Sequence, residues 1–152
     1  MVAADEFEIR FVDAAHVRPL RREVLRVDMP EATVDFEGDD HPATFHLAVF
    51  DQLQSIIAVS SWMERPFIDD SSRRSIQLRG MATKVTFQSF GLGALLLEAG
   101  FRTARERSID MIWANARDAA LNFYLKNGFE IVGDGFIEEV TRLPHHRVRR
   151  SV

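Results

Sequence analysis

The sequence predicts an α/β (mixed α+β) fold: a central mixed, mostly antiparallel sheet of about seven strands flanked by helices, in the order β-α-β-β-β-α-β-α-β-β. Three observations lead there. Apolar residues alternate at strand period near the start, three further β-rich runs follow, and the longer of two later helix-period stretches opens at a glycine-bearing turn. The chain has 152 residues, 46% hydrophobic and 28% charged, enough to bury one core and hardly two, so residues 1–152 are expected to form a single domain.

Each element has its own signal. Phe7, Ile9 and Phe11 alternate with Glu8 and Arg10 over residues 7–12, the pattern of a half-buried strand. Asp13 then caps a helix over 14–27 that carries Val17, Leu20, Val24 and Val27 on one face. Residues 30–42, with Gly38 and many acids, read as a loop, and 44–50 and 54–63 as a hairpin around Asp51-Gln52-Leu53. A turn at 66–72 precedes a strand over 75–83. Next come a polar turn and a helix over 91–107, with Leu92, Leu95, Leu96, Ala99 and Thr103 along one side and Gly100 placed to let it approach the sheet. A strand at 110–115, a helix at 118–127 ended by Asn127-Gly128, and strands at 129–132 and 136–143 complete the order.

Composition excludes several functions. With no cysteine, the chain has no disulfide, no thiolate metal site and no cysteine-acyl intermediate. It lacks an apolar run of the roughly 18 to 20 residues a bilayer span needs, and its start, Met1-Val2-Ala3-Ala4-Asp5, lacks the basic-then-apolar order of an export signal; a cytoplasmic location and no membrane partner are expected. A net charge of -4 argues against nucleic-acid binding, with Arg18, Arg21, Arg22 and Arg26 read as a solvated helix face and Arg147, Arg149 and Arg150 as a frayed tail. No Lys or Arg lies between Arg26 and Arg65, whereas Asp28, Glu31, Asp35, Glu37, Asp39, Asp40 and Asp51 all do. That stretch reads as either an ordinary acidic surface loop or an acidic mouth for a cationic amine.

The chemistry concentrates at Gln88-Ser89-Phe90-Gly91-Leu92-Gly93. The first N–H groups of a helix have no intrahelical partner, the helix dipole favours anions there, and glycine clears side chains from the approach, so a strand-turn-helix of this kind suits a diphosphate. A P-loop would need Gly-Lys-Ser/Thr, which is missing after Gly91, and a dinucleotide fingerprint would need a third glycine where Leu96 stands.

The same turn resembles the Gln/Arg-x-x-Gly-x-Gly/Ala acetyl-CoA signature of the Gcn5-related N-acetyltransferases (GNAT). A second block, from Trp113-Ala114-Asn115 to Asn122-Phe123-Tyr124-Leu125-Lys126-Asn127-Gly128-Phe129, is similar to that family's later strand and helix with their Tyr-x-x-x-Gly-Phe ending. The likeness is close over 75–132 and extends to the whole chain in element order. Leu20-Arg21-Arg22-Glu23-Val24-Leu25, Phe136-Ile137-Glu138 and Pro144-His145 further resemble bacterial members of the ElaA type. The resemblance implies an acetyl-CoA-dependent N-acetyltransferase with acetyl-CoA as co-substrate and no metal. Its acceptor would be a primary amine on a small molecule, a peptide N-terminus or a lysine, and its state monomer or homodimer.

Carried over by position, the resemblance implies that the main chain of Gln88, Ser89, Phe90, Gly91, Leu92, Gly93 and Ala94 holds the diphosphate. It also implies that Met81, Ala82 and Thr83 bond the pantetheine arm, and that Asn115 and Asn122 face it. Arg117 departs from the pattern, standing seven residues before Tyr124 where many members have Asn. Tyr124 matches the family's general acid, although by periodicity alone it reads as a core tyrosine packed with Phe123 and Phe129. The base is sought among Glu138, His145, Glu64 and His46, the first two ranked ahead on the ElaA-type likeness. His145 and His146 are adjacent and unsuited to sharing one metal. The alternatives are a non-catalytic acyl-CoA sensor or interaction module of the same fold, and a nucleotide-dependent oxidoreductase.

Overall fold

The computed structural model describes residues 6–152, so the reading of the first five residues as lacking an export signal lies outside the described residues. Seven strands form one sheet in the order β1-β2-β3-β4-β5-β7-β6. They are β1 (Glu8–Val12), β2 (Phe45–Phe50), β3 (Ile56–Glu64), β4 (Ser75–Thr83), β5 (Met111–Arg117), β6 (Glu130–Ile137) and β7 (Pro144–Ser151). All neighbours are antiparallel except β4 and β5, which are parallel. Helices α1 (Ala14–Leu20), α2 (Leu92–Glu106) and α3 (Leu121–Lys126) flank it, in the predicted element order.

The central strands are apolar on both faces because both are covered. Ala48, Val59 and Ala82 meet Val17 and Leu20 of α1, whereas Leu47, Trp62, Ile76 and Leu78 meet Leu92, Leu96, Leu97 and Phe101 of α2. The buried face of α2 is therefore turned from the expected one: Leu97, Phe101 and Ala104 are buried, while Leu95, Ala99 and Thr103 lie at the margin. Trp62 sets this orientation. It is fully buried, stacks on Phe45 at 5.6 Å, meets Phe101 edge-on, and donates its indole N–H to the Ser60 hydroxyl at 2.8 Å.

Three segments differ from expectation. The helix after Asp13 is α-helical only to Leu20 and continues as a π-helical turn over Arg21–Leu25. Pro19 within it lacks the N–H that would bond the carbonyl one turn back, and the wider turn tucks Arg21 into the interior. The expected strand at 136–143 does not form: residues 136 and 137 end β6, and 138–143 are the turn before β7. β6 runs through 130–137 across a register shift between Val132 and Phe136, and a turn containing Arg142 at φ 60° leads to β7. The basic segment read as a frayed tail is β7 itself, hydrogen-bonded between β5 and β6. Among the described residues no helix is long and apolar enough to cross a membrane.

At Gly100 an added Cβ would overlap the Trp62 ring. Gly100→Ala should therefore lower the unfolding free energy by about 1–3 kcal/mol in urea denaturation, against the gain of roughly 1 kcal/mol that alanine gives in an open helix. A stabilised variant would show that the helix does not depend on this close approach.

Candidate active site

The site begins with an irregularity in β4. Val59 of β3 faces Ala82, and Ser61 faces Arg79, so the single residue Ser60 opposes both Gly80 and Met81, which makes a β-bulge. Gly80 sits at φ +60°, and a Cβ there would come 2.9 Å from the Phe36 ring and 3.0 Å from Arg21 Nε. Only glycine fits this backbone and this packing. Below the bulge β4 pairs with β5 through residues 75–77 and 111–113; beyond Gln77 the pairing ends. The opening between the two strands is a cavity of about 260 Å³, walled by residues 78–81 of β4 and 115–117 of β5.

The turn at 88–94 meets the wall of this opening at Gly93, where a Cβ would come 3.7 Å from the Met81 sulfur. Gly91, at φ 75°, is the N-cap of α2 and makes no side-chain cap, and a Cβ there would meet nothing within 4 Å. Among the described residues no protein acceptor takes the N–H groups of Ser89, Gly91, Leu92, Gly93 or Ala94. Gln88 ties the turn to β4 by donating to the Thr83 carbonyl at 3.1 Å. Gly93 serves packing, since a Cβ there would come 2.9 Å from the Phe123 ring of α3. The Phe90 ring is partly exposed and packs on Phe87 at 5.6 Å, while the Leu92 side chain is buried in the core. Met81 lines the cavity, and the Ala82 side chain points instead to the α1 side.

Tyr124, Glu138 and His145, distant in sequence, line one cavity. Tyr124 is held by edge-on contacts with Phe123 at 5.3 Å and Phe129 at 5.2 Å, so it is at once a core tyrosine and a cavity residue. Burial pushes its phenol up from 10.0 to about 12. The Glu138 carboxylate accepts from the Thr141 N–H at 2.6 Å and the Thr141 hydroxyl at 2.7 Å. Burial raises this carboxyl, but the Thr141 bonds outweigh that and hold it below its ordinary value. His145 is buried, with Nδ1 2.9 Å from the Leu143 carbonyl; a carbonyl only accepts, so Nδ1 carries the proton and Nε2 of the neutral ring keeps its lone pair.

Other candidates lie elsewhere. His46 is buried with both nitrogens engaged, Nδ1 with Ser61 Oγ at 2.6 Å and Nε2 with the Asp39 carbonyl at 2.9 Å. Glu64 is exposed at the end of β3 beside Arg74, 3.3 Å away. Asn115 lines the cavity, whereas Asn122 is exposed on α3 outside the lining. Among the described residues no group of three His, Cys, Asp or Glu side chains could hold a metal ion.

Sequence reading missed the basic wall. Arg26, Arg79 and Arg117 line the cavity with Gln77 and Phe36. Arg79 did leave a signal: it is a lone charge inside an apolar strand, immediately before Gly80. The acids of the 28–51 stretch do not supply an acidic mouth. Asp35 pairs with Arg18 at 2.8 Å, and Asp39 pairs with the fully buried Arg21 at 2.8 Å, so neither this arginine nor Arg26 belongs to a solvated helix face.

Comparison with known proteins agrees with this fold. The chain is similar to the uncharacterized N-acetyltransferase YitI of Bacillus subtilis (strain 168), with 26% identity over 130 residues, covering 85% of this chain and 86% of the relative. In fold it is similar to an acyl-CoA N-acyltransferase from Pseudomonas aeruginosa, with a TM-score of 0.77 and 19% identity over 95% of this chain and 99% of the other. It is also similar to ElaA of Escherichia coli, with a TM-score of 0.76 and 16% identity over 95% of this chain and 99% of the other. The family model described as "Acetyltransferase (GNAT) family" matches residues 11–129, most of the chain. The protein is thus an N-acetyltransferase belonging to the acetyltransferase (GNAT) family.

Proposed function

We propose that this chain is an acetyl-CoA-dependent N-acetyltransferase, working as one domain, that passes the acetyl group directly to a primary amine. One observation carries the reading: unbonded main-chain N–H groups at the start of α2 adjoin a strand opening whose walls hold a buried phenol, a carboxylate and a histidine. The N–H groups of Ser89, Gly91, Leu92, Gly93 and Ala94 suit a diphosphate, and the α2 dipole adds to their pull. Beyond Gln77, β4 has no β5 partner, so its free edge through Thr83 can bond an extended amide-bearing arm as another strand would.

Each chemical demand of the transfer then has a residue. The acceptor nitrogen forms a bond to the acetyl carbon, the carbon–sulfur bond breaks, and the departing thiolate must be met by a proton donor. Tyr124 supplies that donor. Its phenol stays protonated through the neutral range, and among the described residues its hydroxyl has no protein partner to hold it back. The ammonium form first gives one proton to His145 Nε2, which frees the lone pair for attack. The second proton leaves the nitrogen after the bond forms and restores the Tyr124 phenol. Glu138, held ionised by Thr141, is a weak base and suits the holding of an ammonium group. Fixed N–H dipoles along the β4 edge polarise the carbonyl without reorganising. Coenzyme A supplies only the activated acetyl group.

A broad amine panel with acetyl-CoA and thiol detection tests the reading: some amine should release free thiol, and Tyr124→Phe should lower kcat by about 10²- to 10⁴-fold with acetyl-CoA binding retained. Thiol release unchanged by that substitution removes Tyr124 from the chemistry, and binding with no turnover on any amine leaves a sensor module instead.

Tyr124 is the one tyrosine of the sequence, so phenolate absorbance reports it alone. Its raised value makes the neutral form a stabilising one: the contribution, roughly 3 kcal/mol, is complete below pH 10 and is lost as pH rises through about 12. In the folded protein phenolate absorbance should stay flat through pH 10 and rise toward 12. A midpoint near 10 with the far-UV dichroism intact would mean that the phenol is solvated.

A further inference from the structure

The lining of the cavity holds three arginines, Arg26, Arg79 and Arg117, and one carboxylate, Glu138. Among the described residues none of these arginines forms an ion pair. Arg26 donates to the Thr33 carbonyl at 3.3 Å and the Leu25 carbonyl at 3.2 Å, and Arg117 donates to the Leu25 carbonyl at 3.0 Å. These bonds orient the guanidinium groups and neutralise nothing. Arg79 has less: its guanidinium lies 4.5 Å from the Phe36 ring centre, it has no hydrogen-bond acceptor among the described residues, and its nitrogens are not sealed from the cavity.

Glu138 is the one carboxylate these three partly dry cations share, and it does not offset their burial. Burial, then Arg65 and Arg21, holds Arg79 below its ordinary value, and burial followed by Arg117 does the same to Arg26. An anion entering the cavity relieves both effects and offers the bidentate geometry guanidinium prefers. The diphosphate is not that anion, because none of residues 88–94 lines this cavity. The arginines share their wall with Glu138 and His145, the acceptor end of the reaction proposed above.

Resting on that reaction, we infer that the acetyl acceptor is a small amine that also carries a carboxylate, an aminocarboxylate bound by Arg79 with Arg26 and Arg117 flanking, while Glu138 faces its ammonium group. Both signs of charge meet in the lining, so a molecule carrying a carboxylate and an amine can be held at each end. Lysine side chains within a protein and simple polyamines lack the carboxylate and fit the basic wall poorly.

Paired acceptors test this with the unaltered protein: α-, β- and γ-amino acids against their carboxamides, at fixed acetyl-CoA, read by thiol release. The carboxylates should have kcat/KM about a hundred-fold higher than the amides, mostly through KM. Arg79→Gln should erase that gap and leave the KM for acetyl-CoA unchanged. Should that variant not fold, small carboxylates lacking an amine should inhibit the unaltered protein in competition with the acceptor and not with acetyl-CoA. Equal use of acid and amide, a preference for the amide or for an aminophosphonate, or carboxylate inhibition that ignores the acceptor would overturn the inference. Turnover blind to the carboxylate defeats this inference alone; no thiol release with any amine defeats the acetyl-transfer reading and this with it.

Discussion

One bulge governs the architecture of the site. Because Ser60 faces both Gly80 and Met81, β4 bends at a residue whose φ of +60° and crowded α-carbon admit only glycine. The strand cannot then keep its parallel pairing with β5, which stops at Gln77 and Trp113. Everything functional follows from the separation. It leaves the upper edge of β4 without a partner, opens the cavity, and brings into it residues that belong to α3, to the β6–β7 turn and to the turn after α1. Phe36 and Arg21 pack against the bulge, and Arg21 is itself fixed by Asp39 and Ser61, so a buried ion pair supports the bend. The elements that hold the site are thus set by core packing, and the chemistry is set by what the opening exposes.

Much of the fold was legible because local pattern and tertiary role coincide. Alternation in β1, the apolar β2–β3 hairpin and the glycine-started α2 keep their expected places. β7 was illegible for the opposite reason. Its sequence, PHHRVRRS, carries almost no apolar alternation, and its strand form comes from neighbours on both edges together with pairings that charged residues alone can make. Arg149 bonds Glu130 at 2.7 Å, and Arg150 lies 4.4 Å from the Phe101 ring centre and donates to the Asn127 carbonyl at 2.7 Å. Those partners are 19 or more residues away, beyond any local pattern. The face of α2 was misjudged in the same way, because Gly100 marked a close approach without revealing that Trp62 was what approached.

The site divides along the same line. The turn at 88–94 was readable because its residues are consecutive and their geometry is local. The meeting of Tyr124, Glu138 and His145 was approached only through resemblance, since no spacing in one sequence announces a shared cavity. The basic wall was not foreseen at all. Charge counting left an acidic surface loop or an acidic mouth; none of those acids lines the opening, Asp35 and Asp39 being drawn to Arg18 and Arg21, and the cations that face it are Arg26, Arg79 and Arg117. Net charge describes a surface; pairing decides which sign a cavity presents.

The proposed reaction requires the opening between β4 and β5, with the main chain at the start of α2, to seat coenzyme A. Backbone amide chemical shifts during a coenzyme A titration report on those groups directly. The account predicts that the N–H signals of Ser89, Gly91, Leu92, Gly93 and Ala94 move most, together with those of the upper part of β4. Saturable binding that leaves these amides unmoved while signals elsewhere shift would contradict it.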